Sequence, residues 1–403
     1  MSQPRLASRA SRMRASEIRE LLKLLERPEI ISFAGGIPDA SLFPTEAAKE
    51  GYAKALDGQA QAASLQYSLS DGHMPLRRWI VEYMATLGVS CDVQNVMITS
   101  GSQQALDFLA KLYLSPNDTA LVTWPTYLGA LQAFNAYEPR YDRLDPLGNR
   151  SASEIAAEAE SAGGEVKFAY LSADFGNPTG QTYSRDMRER LIELASGLDI
   201  PIIEDGAYQA LRYDGDPIPP ILAIEQEQQG GDIEACRTIY CGSFSKTLAP
   251  GLRIGWVCGA RQILDRLIII KQAGDLHTST INQMVIDHIA RSSFDEQVKK
   301  IGEVYSARRD KLLAELEKNM PEGVSWTEPE GGMFIWLTLP RNIDGAEMLA
   351  KSLETEKVAF VPGQAFFADG SGANTIRLSF SCATDSMIED GMARLGRLIR
   401  SEL

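Results

Sequence analysis

Short apolar runs alternate with amphipathic segments through the middle of the chain. The runs predict β-strands because they are short, rich in β-branched and aromatic residues, and bounded by turn-forming residues: NVMITS, TALVTW, KFAYLS, IPIIED, TIYCGS and LRIGWVCG. Between the first two, Ala105, Leu109 and Leu112 recur at helical spacing and predict an amphipathic helix. Strands that alternate with helices predict an α/β fold with a mostly parallel central sheet and helices on both of its faces.

The pattern changes from about residue 281. A helical stretch, EVYSARRDKLLAELEKN, precedes three separated strand-like segments, MFIWLTL, VAFVPG and TIRLSF, which predict a smaller α+β domain. A chain of 403 residues also exceeds the usual domain size of roughly 100–200 residues. We therefore expect an N-terminal arm and short helix over 1–45 that packs on the small domain and the cleft, a large ligand-binding domain over 46–280, and a small C-terminal domain over 281–403.

Composition narrows the class of partner. The net charge of -14 repels polyanions, which argues against nucleic acid or an anionic membrane as a partner. The five cysteines lack C-x-x-C spacing and the three histidines are dispersed, so neither a disulfide framework nor a metal site is predicted. The arginine-containing start, MSQPRLASRASRMRAS, has no apolar secretory core, and we interpret it as a mobile arm of a cytoplasmic protein.

One lysine stands out in the segment GSFSKTLAPGLRIGW, residues 242–256. A Lys-Thr pair after a glycine-led loop suggests a nucleotide phosphate loop of the form G-x-x-x-x-G-K-[ST]. This interpretation fails because Ser245 and Tyr240 occupy the two positions where that motif requires glycine. Lys246 needs another explanation.

Polar groups follow several of the predicted strands. In open parallel sheets, ligands bind outside the carboxyl ends of the strands. Two of these ends combine hydroxyls, backbone N–H groups at a helix start and cations: Ser100, Gly101, Ser102 and Gln103 after NVMIT, and Ser243, Ser245, Lys246 and Arg253 after TIYC. Such a set favours a phosphate group.

Two further strand ends add a carboxylate and hydrogen-bonding groups. Asp205 ends IPIIED with Tyr208 three positions later, and Asn177 lies in GNPTG after KFAYLSADF. A carboxylate at the end of a buried strand is costly to desolvate unless it meets a cation. Each feature alone has a structural explanation, as a helix N-cap, a turn or an ordinary loop. Together they match a pyridine ring that carries a phosphate, a phenolic oxygen and an aldehyde.

The ordered series ISFAGGIPD, TSGSQQAL, NPTG, EDGAY, SFSKTLAPGLRIGW and TIRLSF resembles the class I/II pyridoxal-phosphate aminotransferases of fold type I, over nearly the whole chain. Within them, ASEIRELLKLLERPEIISFAGGIPD, LQYSLSDGHMPLR and GGMFIWLTLP are most similar to the 2-aminoadipate (kynurenine) aminotransferase branch. Gly206 departs from relatives that often carry a second acidic residue there. The resemblance implies pyridoxal 5'-phosphate as cofactor, a homodimer with shared active sites, and transfer of an amino group between an L-amino acid and a 2-oxo acid.

The resemblance also implies roles for individual residues. Lys246 would hold the cofactor's aldehyde as a Schiff base and move the α-proton, and Asp205 would keep the ring nitrogen protonated. Asn177 and Tyr208 would hydrogen-bond the phenolic oxygen, and Tyr127 would stack on the ring. The phosphate would be held by Gly101, Ser102, Gln103, Ser243, Ser245 and Arg253, with Tyr67 reaching it from the neighbouring subunit.

Two arginines are implied in substrate binding. Strand alternation in NTIRLSF turns Arg377 away from Ile376 and Leu378, so that it can face the cleft and bind the α-carboxylate, with help from Asn177 and the backbone at Gly36. Arg19 would bind the distal carboxylate of glutamate or 2-oxoglutarate. A surface position for either arginine is the structural alternative.

Two other functions stay open at this level. A lyase or decarboxylase uses the same cofactor apparatus, and an aminotransferase-like regulatory module shares the scaffold. Such a module carries a basic DNA-binding segment, whereas this chain is acidic and only 34 residues precede GGIPD. Motifs do not select among 2-aminoadipate, kynurenine, aromatic and branched-chain amino donors.

Overall fold

The computed structural model describes residues 5–13 and 29–403 of the protein. Its strands, in chain order, are β1 (Ile31–Ser32), β2 (Val96–Thr99), β3 (Thr119–Val122), β4 (Arg140–Arg143), β5 (Val166–Leu171), β6 (Ile202–Asp205), β7 (Ile239–Ser243), β8 (Gly255–Cys258), β9 (Ser325–Trp326), β10 (Phe334–Thr338), β11 (Val358–Ala359), β12 (Val361–Pro362) and β13 (Thr375–Ser379).

The α-helices of the described residues are α1 (Thr45–Ala55), α2 (Ala60–Leu65), α3 (Met74–Thr86), α4 (Ser102–Tyr113), α5 (Leu128–Asn135), α6 (Ala152–Ser161), α7 (Arg185–Leu198), α8 (Ile221–Gln228), α9 (Arg261–Gly274), α10 (Thr280–Asn319), α11 (Gly345–Thr355) and α12 (Asp385–Glu402). None of them combines the length and apolarity needed to cross a membrane.

The central sheet has seven strands in the order β2-β8-β7-β6-β5-β3-β4. Strands β3 to β7 pair in parallel, whereas β8 is antiparallel to both of its neighbours. The predicted α/β fold with a mostly parallel sheet is therefore confirmed. The polar edge strand β4 was not predicted, because a half-exposed edge strand has no apolar run to reveal it.

Buried side chains cover both faces of this sheet. Every residue of β2, β3, β6, β7 and β8 is buried, because helices pack on the two sides. Helix α4 forms where the apolar spacing predicts it, with Ala105, Leu106 and Leu109 fully buried. Leu112 is only partly buried, so the stripe is turned slightly away from the predicted one.

A smaller four-stranded antiparallel sheet, ordered β12-β13-β10-β9, contains the three strand-like segments of the C-terminal part. The N-terminal strand β1 pairs in parallel with β11 in a separate two-stranded sheet, so the chain before the large sheet is joined to the C-terminal part. Helix α10 links both parts. It breaks at Ser293, where φ and ψ leave the helical region. Its residues as far as Val298 pack with the large sheet, and residues from Ile301 onward pack with the small sheet. The division at 280/281 remains a prediction.

Gly242 in β7 allows a close contact that holds two strands together just before Lys246. It lies opposite Trp256 of β8, and a Cβ at residue 242 would come within 2.1 Å of the indole ring. Trp256 is only 4% exposed, so the ring has no room to withdraw.

We expect Gly242→Ala to lower the free energy of unfolding by about 1–3 kcal/mol, because the added methyl overpacks this contact. Gly251→Ala is the matched control, since no atom lies within 4 Å of its added Cβ. Urea unfolding of the full chain measures both. Equal stability of the two variants would contradict the packing argument.

Candidate active site

A cavity of about 140 Å³ lies at the carboxyl ends of β5, β6 and β7. It brings together most of the residues singled out in the sequence, although their motifs are far apart in the chain. The lining residues are Ser102, Gln103, Tyr127, Tyr170, Ser172, Asn177, Asp205, Ala207, Tyr208, Ser243, Ser245, Lys246, Pro250 and Arg253. Of the other candidates, Gly101, Gly36 and Arg377 adjoin the cavity through these residues, and Tyr67 lies apart.

Asp205 is held at the buried end of β6. The Tyr170 hydroxyl donates to one carboxylate oxygen at 3.0 Å, and the Ala207 backbone N–H donates to the other at 3.3 Å. Burial raises the pKa of Asp205 to about 6, against these hydrogen bonds and the Lys246 charge, which lower it. At neutral pH the carboxylate is therefore ionised inside a buried pocket, where it can stabilise a cation.

Lys246 lies in the same cavity, with its ammonium donating to the Gly36 carbonyl at 3.1 Å. Burial lowers its pKa to about 8, and the positive charges of Arg377 and Arg253 act in the same direction, while Asp205 opposes them. Near neutral pH about a tenth of this amine is therefore uncharged, far more than for an ordinary lysine, and the uncharged form is the one that a nucleophile or a proton acceptor requires.

The serine-rich segments and Arg253 meet at the start of α4. Gly101 precedes the helix with φ 81°, and no side chain of the described residues caps its first turn. An added Cβ at Gly101 would lie 2.3 Å from Arg253, so glycine is required for the guanidinium to pack over the loop. Arg253 also donates to the Ser245 hydroxyl at 3.5 Å and the Ser100 carbonyl at 3.3 Å.

Because of these contacts, the backbone N–H groups of the first turn of α4 lie beside the positive charge of Arg253. The side chain of Gln103 is already committed, because its amide donates to the Gly129 carbonyl at 2.6 Å. Its contribution to an anion is therefore the backbone N–H, as at Ser102. The arrangement is that of an anion site at a helix N-terminus.

Arg377 is buried at 1% exposure beside the cavity. Its guanidinium donates to the Asn177 side-chain oxygen and to the Ala34 carbonyl, both at 2.8 Å, and lies 4.3 Å above the centre of the Phe334 ring. Within the described residues, its Nε has no hydrogen-bond partner and its guanidinium forms no ion pair with an acidic side chain. Burial lowers its pKa to about 10, so it remains a cation.

Asn177 and Tyr208 meet on the same side of the cavity. Because Asn177 accepts from Arg377 through its oxygen, its amide nitrogen is the group left to donate. Burial raises the pKa of Tyr208, and the nearby Asn177 side chain opposes that rise. The NPTG segment is a turn, closed by the Gly180 N–H donating to the Gly176 carbonyl at 2.7 Å. The NPTG segment therefore forms a turn and also contributes Asn177 to the site, so the two interpretations of this motif hold together.

The segment that carries Gly36 is fastened to the small domain. The Ser381 hydroxyl donates to the Ile37 carbonyl at 2.7 Å, and Arg308 forms a 2.8 Å ion pair with Asp39. The carbonyl facing Lys246 is therefore positioned by residues of the C-terminal half.

Three candidates remain, and they differ in their position relative to the cavity. Tyr127 lines the cavity next to Tyr208 and Tyr170. Tyr67 is 78% exposed and packs edge-on against His277, with ring centres 5.9 Å apart. Arg19 lies outside the described residues.

Sequence reasoning missed several contacts of the site. Tyr170 and Ser172 project from β5 and its end toward Asp205, and the Ser172 hydroxyl donates to the Asp205 carbonyl at 2.8 Å. Both are polar residues two positions apart in an otherwise apolar run, and this signal was available in KFAYLS. The Phe334 ring beneath Arg377 had no such signal, because Phe334 lies within the apolar run MFIWL.

The departure at Gly206 has a physical cause. A Cβ there would lie 2.2 Å from the Tyr240 hydroxyl, and Tyr240 is 1% exposed. Any larger residue at 206 must displace this buried ring. Separately, the described residues contain no group of three or more His, Cys, Asp or Glu side chains arranged to hold a metal ion.

Comparison with known proteins decides the family. The family model described as aminotransferase class I and II matches residues 28–395. The chain belongs to the class I and II aminotransferases. The aromatic-amino-acid aminotransferase 1 of Thermococcus litoralis is 42% identical, over 98% of this chain and 94% of its own length. The resemblance found in the motifs is thus confirmed.

Two solved structures extend the likeness to the fold of this aminotransferase. A Pyrococcus horikoshii kynurenine aminotransferase, solved with PMP, kynurenine and its product, has a TM-score of 0.90 and 43% identity, covering 99% of this chain and 97% of its own. LysN, the α-aminoadipate aminotransferase of Thermus thermophilus, solved with N-(5'-phosphopyridoxyl)-L-leucine, has a TM-score of 0.86 and 36% identity, covering 98% and 97%. The fold is fold type I and the protein is a transaminase.

The cavity fits the cofactor of this family, pyridoxal 5'-phosphate. The uncapped start of α4 beside Arg253 suits the phosphate, and the ionised Asp205 in the same cavity suits a protonated pyridine nitrogen. Lys246 lines this cavity too and supplies the amine. The phosphate, the ring nitrogen and the aldehyde of the cofactor therefore each have a complementary group in the cavity.

Lys246 should titrate far below an ordinary lysine. We expect its reactivity toward a limiting small electrophile to rise through pH about 8, because only the neutral amine reacts. Peptide mapping of the cofactor-free full chain across a pH series measures this. Asp205→Asn should move the midpoint to lower pH, since the Asp205 charge favours the protonated amine. A midpoint near the ordinary value of 10.5 would contradict the burial argument.

Proposed function

We propose that this aminotransferase moves the α-amino group of an L-amino acid to 2-oxoglutarate in two half-reactions, with glutamate as the second product. The observation that supports it best is Arg377, a buried cation without an acidic partner among the described residues and with an unbonded Nε. A buried guanidinium in this state favours a planar carboxylate, the group that amino acids and 2-oxo acids share.

The surroundings of Arg377 support an α-carboxylate role. Ala34 and Asn177 hold the guanidinium from two sides, and Phe334 and Phe366 contact its faces, so its orientation is determined before a substrate arrives. Preorganisation of this kind lowers the entropic cost of binding. A carboxylate bound here would lie next to Gly36 and one side chain away from the cavity that holds Lys246.

Different residues of the cavity would hold different parts of the cofactor. Asp205 would hold the ring nitrogen, the Asn177 amide and the Tyr208 hydroxyl would hold the phenolic oxygen, and Tyr127 would contact the ring. Burial raises the pKa of Tyr208, which keeps it a neutral donor. Bound pyridoxal 5'-phosphate supplies an electron-accepting ring that stabilises negative charge at the substrate's α-carbon.

The phosphate would be held by the backbone at Gly101, Ser102 and Gln103, the hydroxyls of Ser243 and Ser245, and Arg253. Lys246 acts as the proton carrier. Its lowered pKa leaves part of the amine free to take the α-proton near neutral pH, and the neighbouring Gly36 carbonyl orients it by a hydrogen bond.

Substrate choice and assembly are part of the same proposal. The similar proteins named above act on aromatic amino acids, kynurenine and α-aminoadipate, and these are the amino donors that we propose to test first. Arg19 is proposed for the distal carboxylate on resemblance alone. A homodimer in which the exposed Tyr67 reaches the partner's phosphate, and a cytoplasmic location consistent with five free cysteines, complete the proposal.

The acceptor decides the reaction class. We expect 2-oxo acid formation from the amino donor to continue only when 2-oxoglutarate is present, with one glutamate formed for each 2-oxo acid. Chromatography of both products, with and without acceptor, makes the measurement. Continued turnover without an acceptor would indicate β-elimination, and release of carbon dioxide would indicate decarboxylation.

Arg377→Lys tests the carboxylate site. Lysine keeps the charge but loses the planar fork and the Asn177 contact, so kcat/KM should fall roughly ten- to hundredfold for every amino donor. Steady-state kinetics over the donor panel measures this, with the cofactor absorbance checked in parallel. A loss confined to dicarboxylic donors would assign Arg377 to the distal carboxylate instead.

A further inference from the structure

Lys271, near the end of α9, is a buried lysine that the proposed function does not use. Its side chain is 0% exposed, yet its ammonium is surrounded by acceptors. It donates to the Gln104 side-chain oxygen at 2.8 Å, to both Asp275 carboxylate oxygens at 2.9 and 3.0 Å, and to the Thr278 hydroxyl at 2.9 Å. A buried ammonium is retained in a fold only where such partners compensate its desolvation.

The partners of Lys271 extend directly to the loop that begins α4. Gln104 accepts the Ser100 backbone N–H at 2.9 Å through the same oxygen that binds Lys271, and its amide donates to Asp275 at 2.7 Å. The Ser100 hydroxyl donates to Asp275 at 3.2 Å and contacts the Thr278 hydroxyl at 3.3 Å. Ser100 is therefore bound on its backbone and on its side chain by this one cluster.

The loop carries two parts of the phosphate site. The Ser100 carbonyl accepts from Arg253 at 3.3 Å, and the next residues, Gly101 and Ser102, begin the helix. The cluster thus reaches both the guanidinium and the N–H groups that would bind the phosphate. Because hydrogen bonds in such a network polarise one another, loss of the central charge affects all of them.

We propose that Lys271 is a positioning residue for the cofactor's phosphate. It acts through Gln104, Asp275 and Ser100 to hold the first turn of α4 and Arg253 in register, without touching the cofactor. This inference rests on the proposed location of the phosphate at Gly101–Gln103 and Arg253. It predicts an effect on cofactor binding that depends on the phosphate group.

Lys271→Met tests the inference, because methionine has a similar length and no charge. We expect the dissociation constant for pyridoxal 5'-phosphate to rise at least about tenfold, and that for pyridoxal, which lacks the phosphate, to change by less than about twofold. Both are measured by absorbance titration of the cofactor-free full chain. Equal weakening of both ligands, or no weakening of either, overturns the proposal.

Controls separate this inference from the function on which it rests. Lys111→Met removes a charge from an exposed position on α4, the helix whose first turn the Lys271 cluster holds. It should leave both dissociation constants unchanged. Arg253→Lys should weaken pyridoxal 5'-phosphate selectively if the phosphate lies where we propose. If Arg253→Lys has no selective effect, the phosphate placement itself is wrong; if it does and Lys271→Met does not, only the role of Lys271 is wrong.

A second variant covers the case in which Lys271→Met does not fold. Asp275→Asn keeps the shape of a partly exposed side chain while it removes the charge that pairs with Lys271. It should show the same selectivity for the phosphate-bearing ligand. Thermal unfolding of the cofactor-free variants reports stability separately, and a variant that loses stability but binds both ligands normally counts against the proposal.

Discussion

The site depends on charges that are held in one cleft without being neutralised by one another. Asp205 and Arg377 are almost inaccessible to solvent and Lys246 is half-buried, and none of them forms an ion pair with an acidic or basic side chain among the described residues. Burial raises the pKa of the carboxyl group and lowers those of the two cations. Each group is therefore destabilised in its charged form, and a ligand with complementary charges relieves that instability.

The surrounding fold keeps these groups from collapsing onto each other. On the side of the large sheet, Tyr170 and Ser172 hydrogen-bond Asp205. On the side of the small domain, Phe334 and Ala34 contact the guanidinium of Arg377. Lys246 lines the same cavity as Asp205 and contacts a carbonyl rather than the carboxylate. A rigid core on both sides thus maintains an arrangement that the polar groups alone would not favour.

At the proposed phosphate end of the cavity, surrounding residues likewise hold the binding groups in place. Gly101 is required where Arg253 packs over the backbone, and the loop behind it is bound by a cluster centred on a second lysine, Lys271. The two lysines differ in their partners. Lys271 is saturated with acceptors, which suits a fixed structural charge, whereas Lys246 has one acceptor among the described residues, the Gly36 carbonyl, and remains available for chemistry.

The sequence alone determined which chemical groups are present and in what order they follow the strands. Apolar periodicity predicted the parallel sheet, and the strand ends carried Asn177, Asp205, Lys246 and Arg253, because local spacing determines which residue follows each strand. Only the tertiary structure decided which groups meet. Arg377 binds Asn177 across 200 positions of the chain, and Ser100 reaches Asp275 across 175, contacts that no local pattern encodes. Packing also decided how far each pKa moves, because desolvation depends on neighbours contributed by the whole fold.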